Sequence, residues 1–161
     1  MRIWNRGTRL PEIYGTLVAL GLIVYFFSMY AAGLIHVIEL RILNLFILLV
    51  GIWYALKQYK RTHNGHLDYF HSLVTGVATA AIGVGTFSIF LLIYLSLDQH
   101  LMSMIAKNEP LGFYLNPYIA SFFVLLEGLF SGFGASYLLT NFLATDTPAV
   151  DNVSERLPEK V

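Results

Sequence analysis

The residue of this sequence best placed to do chemistry is Glu127, the single charged residue inside the last of four long apolar runs. It lies about ten positions into the run that starts at Pro117, or roughly 15 Å along a helix, close to the middle of a bilayer. A carboxylate at that depth costs about 2.5–3.5 kcal/mol unless it is protonated, hydrated or paired. We therefore expect Glu127 to face the interior of a helical bundle.

Partners for Glu127 are predicted by counting depth along the other apolar runs. Arg41 and Asn44 are three residues apart and share a helix face. The predicted intramembrane polar cluster consists of Tyr25, Arg41, Asn44, Thr86 and Glu127. Its simplest role is packing, with a neutral Glu127 hydrogen-bonded inside the bundle. The alternative is a proton or ion site, because ionisable residues within membranes often mark transport pathways.

A second group of chemically capable side chains lies between the second and third apolar runs. It has the pattern H-x-x-H-x-D-x-x-H and comprises His63, His66, Asp68 and His71. Imidazole and carboxylate groups bind zinc, but this spacing fits no standard zinc module. We therefore predict no metal site and no cofactor, and keep a metal-sensing loop as an alternative.

Other chemistry is excluded by composition and by missing motifs. The chain has no cysteine, which rules out disulfides, thiolate metal sites and cysteine nucleophiles. It has no phosphate-binding glycine loop, no H-E-x-x-H and no G-x-S-x-G. The net charge is zero, so nothing indicates nucleic acid as a partner. We predict that the protein is not an enzyme.

The elements that must position these residues are four membrane-spanning helices. Of the 161 residues, 57% are hydrophobic and 12% are charged, against about 25% charged in soluble domains. The apolar runs predict an all-α, four-transmembrane-helix bundle with spans at about 13–35, 37–56, 69–97 and 117–143. Residues around Asp98–Glu109 are predicted to form a loop, and 146–161 a disordered tail. A signal peptide beginning at Arg2 is disfavoured because the first run is too long.

The distribution of basic residues predicts the orientation of the bundle. With four spans, eight of the ten Lys and Arg residues fall on one side of the membrane. They are Arg2, Arg6, Arg9, Lys57, Lys60, Arg61, Arg156 and Lys160. The positive-inside rule then places both termini in the cytoplasm of a multi-pass inner-membrane protein.

A stripe of small residues in the fourth run predicts close helix packing. Gly128, Gly132 and Ser136 recur at four-residue spacing, so they share one helix face. The third run has similar stripes, with Thr75, Thr79 and Gly83 and with Gly76 and Ala80. The stripes either build the bundle itself or, in the fourth run, form a homo-oligomer or dock a larger membrane complex.

Residues 59–109 carry a resemblance to a known family. A basic helix end (YALKQYKR) leads to Asn64-Gly65, then to a helix start (LDYFHSLVTG) and a long apolar helix ending in IYLSLD. In this order, with Gly65, Phe70, Gly76 and Asp98 as matching positions, the chain resembles domain of unknown function 4199, a family of small bacterial inner-membrane proteins. The usual Asp-Pro after the third helix is replaced here by Asp98-Gln99. The resemblance implies four helices over about residues 10–145, and it implies no activity.

Taken together, these features predict an integral inner-membrane protein that serves as a structural or accessory component of a membrane assembly. The alternative is a small proton- or ion-coupled transporter that works through Glu127. The predicted partners are the lipid bilayer and either a second copy of the chain or a larger membrane complex.

Overall fold

Four long helices dominate the computed structural model of the protein. It describes residues 9–33, 41–62, 69–108 and 112–145, without the side chains at positions 41, 108, 144 and 145. The helices are α1 (Leu10–Ala31), α2 (Arg41–Thr62), α3 (Tyr69–Leu97), α4 (Gln99–Asn108) and α5 (Pro117–Thr145), with a 3-10 turn at Gly112–Tyr114. The described part of the chain contains no β-strand. Helices α1, α2, α3 and α5 are long and apolar enough to cross a membrane, as predicted.

The first two spans have different bounds from those predicted. Helix α1 ends at Ala31 because Gly33 takes a left-handed conformation (φ +68°) and its N–H donates to the Tyr30 carbonyl, 3.1 Å away. Helix α2 continues past residue 56 to Thr62 and carries Lys60 and Arg61 in its last turn. Lys60 Nζ donates to the Leu143 carbonyl at 3.1 Å. Residues 34–40 and the predicted tail at 146–161 lie outside the described residues.

The segment after α3 is a helix, so the prediction of a loop there is wrong. The carboxylate of Asp98 accepts a hydrogen bond from the Leu101 backbone N–H at 3.0 Å and caps the start of α4. Leu101 and Met102 are buried on one side of α4, whereas His100 and Ser103 are exposed. This amphipathic pattern in only ten residues holds the helix against the bundle. Glu109 lies outside the described residues.

Helix α3 is the centre of the bundle and contacts all the other helices. On the α1 side, Gly15 lies close to Thr79 and Ile82, and Phe26 packs against Phe90. Residue numbers rise together on the two helices, so α1 and α3 run parallel. The main core cluster lies around this helix and includes Val18, Leu48, Ile52, Leu56, Ala80, Val84, Phe87 and Ala135.

The pairing of α3 with α5 runs the other way. Gly76 lies opposite Ser136, Ala80 opposite Gly132 and Val84 opposite Gly128. As the number rises by four on α3 it falls by four on α5, so these helices are antiparallel. The start of α1, the end of α2, the start of α3 and the end of α5 therefore share one end of the bundle. We call it the basic end, because Arg9, Lys57, Lys60 and Arg61 lie there; the opposite end is the α4 end.

Candidate functional site

The inner face of α5 is the small-residue stripe predicted from the sequence. A Cβ atom at Gly128 would collide with the Val84 side chain, and one at Gly132 would collide with Ala80. On the opposite helix, a Cβ at Gly76 would lie only 2.7 Å from Ser136 Oγ. The stripe of Gly128, Gly132 and Ser136 is thus occupied by α3, where it allows close backbone approach. Of its two predicted roles, building the bundle is the one that the described contacts fit.

Hydroxyl groups along this seam form short hydrogen bonds. Ser88 Oγ on α3 donates to the Ser121 carbonyl on α5 at 2.7 Å, which links the two helices directly. Ser136 Oγ donates to the Gly132 carbonyl of its own helix at 2.7 Å. Ser72 Oγ and Thr140 Oγ1 are buried without a hydrogen-bond partner among the described residues. The seam is therefore polar in places but fully packed.

Glu127 lies on the outer face of α5, contrary to the predicted interior position. Its side chain is exposed, and it forms no hydrogen bond or ion pair with any described residue. The exposed Phe123 and Phe130 are its neighbours one helical turn away on either side, and Phe130 is 76% exposed. A Cβ atom at Gly134, two turns along the same face, would meet nothing within 4 Å. We call Phe123, Glu127, Phe130 and Gly134 the outer face of α5.

The predicted polar cluster is not assembled in the described part of the chain. Thr86 is exposed on α3, so it lies outside the bundle interior as Glu127 does. Tyr25 and Asn44 are half-buried. The Oδ1 atom of Asn44 is buried, and no described residue donates a hydrogen bond to it. The side chain of Arg41 lies outside the described residues.

The helix contacts define the level of Asn44 and Glu127 along the bundle. Leu48 Cδ2 lies 3.7 Å from the Cβ position of Gly132, so one turn earlier Asn44 is level with Gly128. Asn44 and Glu127 are therefore at similar depth on neighbouring parallel helices, but no hydrogen bond joins them. The sequence itself indicates that Glu127 points away from the glycine stripe. Five residues separate it from Gly132, which places the two roughly 140° apart around a helix.

The histidine pattern can be followed only in part. His63, His66 and Asp68 lie outside the described residues, and His71 is exposed on the first turn of α3. The described ranges contain no group of three metal-ligating side chains. The predicted absence of a metal site therefore stays a prediction.

The α4 end of the bundle is filled with apolar side chains. Leu91 and Leu95 of α3 pack against Leu101 and Met102 of α4, and Leu95 and Leu101 are almost completely buried. Beside them, Tyr30 Oη donates to Asp98 Oδ2 at 3.4 Å. The described helices therefore share a packed apolar layer at this end of the bundle.

Comparison with models of known protein families, with curated proteins and with solved structures finds no match to this chain. The resemblance to domain of unknown function 4199 therefore stays a prediction. What the site offers is defined by its own geometry: a carboxyl group in the middle part of a helix long and apolar enough to cross a membrane, on the outward side of that helix. Such a group can accept a hydrogen bond or pair with a cation that another molecule supplies.

Proposed function

We propose that this protein is an accessory component of an inner-membrane assembly, and that the outer face of α5 binds a transmembrane helix of another protein. The observation that carries the proposal is the exposed position of Glu127 on a membrane-spanning helix. A lipid-facing carboxyl group at this depth is costly, and a partner helix with a basic side chain removes that cost. Gly134, with open space above it, allows the close approach that helix pairs in membranes require.

The chemistry of the partner is inferred from what this chain lacks at the level of Glu127. Within the described ranges the basic residues lie at or beyond the ends of the spanning helices, at Arg9, Arg41, Lys57, Lys60, Arg61 and Lys107. A second copy in the same orientation would place Glu127 against Glu127, which is a like-charge contact if both are ionised. The partner is therefore a different protein whose transmembrane helix carries Lys, Arg or His near the bilayer midplane.

The orientation of the assembly is part of the proposal. The excess of Lys and Arg at the basic end supports placing both termini in the cytoplasm. Transport through Glu127 is less well supported, because a transport site would face a pathway inside the bundle. Glu127 faces outward, and the described helices form an apolar layer around Leu101 at the α4 end.

Site-specific photocrosslinking in native membranes tests the proposal. A benzophenone amino acid replaces Phe130 on the outer face of α5, and the matched control places it at Ile89, an exposed apolar residue on α3. We expect a protein adduct from position 130 but not from position 89. Its yield should fall about tenfold in Glu127→Leu, which corresponds to a loss of about 1.4 kcal/mol. The crosslinked peptide should be a transmembrane helix with a basic residue.

Three outcomes would overturn the proposal. They are an adduct only to a second copy of the chain, equal adducts from positions 130 and 89, and a yield that Glu127→Leu leaves unchanged. The Glu127→Gln variant separates charge from hydrogen bonding, because a carboxamide still accepts a hydrogen bond but cannot form an ion pair. We expect it to keep only a minor part of the adduct.

A further inference from the structure

The described residues that connect α3 to α5 form a compact unit at the α4 end. We call this unit the cap: it consists of Asp98, α4, the turn Gly112–Tyr114 and residues 115–118. Asp98 fixes the start of α4 by its bond to the Leu101 N–H at 3.0 Å. Leu101 and Met102 anchor the helix in the apolar layer of the bundle. The polar side of α4 points away, with Gln99, His100, Ser103 and Lys107 exposed.

The 3-10 turn is packed tightly onto α4. A Cβ atom at Gly112 would collide with the Ala106 backbone, so only glycine allows this approach. The Leu115 N–H donates to the Gly112 carbonyl at 3.0 Å, and Leu115 packs against the apolar layer. Asn116 then caps α5, since its Oδ1 accepts the Ile119 N–H at 2.9 Å. The turn is therefore held at a fixed place beside the start of α5.

This fixed turn presents two aromatic rings outward. Phe113 is 94% exposed and Tyr114 is 71% exposed, with their ring centroids 5.3 Å apart in an edge-to-face arrangement. Leu97 at the end of α3 and Tyr118 in the first turn of α5 are exposed as well. The rings are thus at the level where two transmembrane helices leave the hydrocarbon region, next to the polar side of α4.

We infer that the cap is seated in the headgroup layer of the bilayer, with Phe113 and Tyr114 as its membrane anchors. The headgroup layer of a bilayer suits the side chains that the cap exposes. Aromatic rings favour the boundary between headgroups and acyl chains. The exposed His100 and Lys107, on the side of α4 that faces away from the bundle, are placed to meet phosphate groups. Phospholipid covers the exposed rings, which are continuous with the lipid-facing surface of α3 and α5. This inference is independent of Glu127.

The natural absence of cysteine makes a direct test simple. Phe113→Cys and Tyr114→Cys each receive a nitroxide label, and the full chain is reconstituted into vesicles of phosphatidylethanolamine and phosphatidylglycerol. Ser103→Cys, on the polar side of α4, is the matched control. Power-saturation EPR measures collisions of the label with oxygen, which concentrates in lipid, and with a water-soluble nickel chelate. Size-exclusion profiles of the labelled variants establish that each is folded.

We expect the ratio of oxygen to nickel collisions to be at least several-fold higher at positions 113 and 114 than at position 103. Equal ratios at all three positions would place the turn in water and overturn the inference. Low collision rates with both reagents at position 113 would mean that protein covers the rings, which would also overturn it. If Phe113→Cys fails to fold, Tyr114→Cys and Tyr118→Cys carry the same measurement, because both native side chains are 71% exposed.

Discussion

The two faces of α5 are built differently although they belong to one helix. The inner face packs Gly128, Gly132 and Ser136 against α3 at close range. The outer face carries Glu127 and Gly134, over which the described part of the chain places nothing. Small residues in membrane helices mark places where helices touch. The chain itself explains the composition of the inner face, whereas under our proposal the outer face is explained by a contact with another protein.

The largest difference in stability is expected when the same substitution, glycine to leucine, is made once on each face. Gly132→Leu should destabilise the chain by about 1–3 kcal/mol, because the new side chain is forced into Ala80. Gly134→Leu should leave stability unchanged or slightly higher, since space is open there and leucine favours a helix. Thermal unfolding in detergent, followed by circular dichroism and size exclusion, measures both. Equal destabilisation by the two variants would show that α5 has no distinct outer face.

A smaller loss of stability is expected from a change at the start of α5, on which both faces depend. Asn116→Ala removes the acceptor for the Ile119 N–H and should cost about 1 kcal/mol. Asn116→Asp keeps an acceptor oxygen and should preserve most of the stability. Hydrogen exchange at residues 118–120 measures the fraying directly. If exchange there is unchanged in Asn116→Ala, packing alone fixes the helix start and the Asn116 side chain contributes nothing.

The inner face should be only weakly sensitive to the loss of its interhelical hydrogen bond. Ser88→Ala removes the donor to the Ser121 carbonyl, and bonds of this kind between membrane helices average about 0.6 kcal/mol. Ser96→Ala is the matched control, because Ser96 is exposed and bonds only to its own helix through Leu92. Unfolding of both variants in the same detergent gives the difference. A loss above about 2 kcal/mol in Ser88→Ala would mean that polar contacts, and not close packing, hold the seam.

The smallest effect is expected from Glu127→Leu in the isolated chain. Glu127 forms no hydrogen bond or ion pair with a described residue, and it meets lipid both in the folded chain and in an unfolded chain whose helices stay inserted. Its removal should therefore change the free energy of unfolding by less than about 0.5 kcal/mol. Unfolding of the purified protein in bicelles measures this. A destabilisation of more than about 1 kcal/mol would reveal a partner within the chain, and the two faces of α5 would then share one function.

The sequence predicted four helices long and apolar enough to cross a membrane, which the structure confirms, but it did not predict the direction of Glu127. Apolar length determines where a helix crosses a bilayer, so the spans follow from hydropathy alone. The direction of the Glu127 side chain depends on which face of α5 packs against α3, and this packing is a property of the tertiary structure. We assumed that cost in lipid forces a carboxyl group inward, but the glycine stripe was the better guide because a collision with Val84 or Ala80 cannot be relieved.

Helix α4 was missed for a different reason. Its ten residues are too few to span a membrane and lie between the charged Asp98 and Glu109, so the segment resembles a loop although its apolar residues recur at helical spacing. The available cue was Asp98 three residues before Leu101, the spacing of an N-cap and the backbone N–H that it binds. Neither the packing of Gly112 against Ala106 nor the exposure of Phe113 leaves a signal in the sequence, because both depend on how the turn folds back onto α4.

The central place of α3 has a consequence for biogenesis. Chains are made from the N-terminus, so α1, α2 and α3 are synthesised before α5. Until α5 arrives, the groove of α3 around Gly76 and Ala80 is uncovered within the membrane. Helix α5 therefore docks last onto α3, and the docking of its glycine stripe offsets part of the cost of inserting Glu127. Chains arrested before α5 should expose Gly76 and Ala80 to whatever lies beside α3 in the membrane.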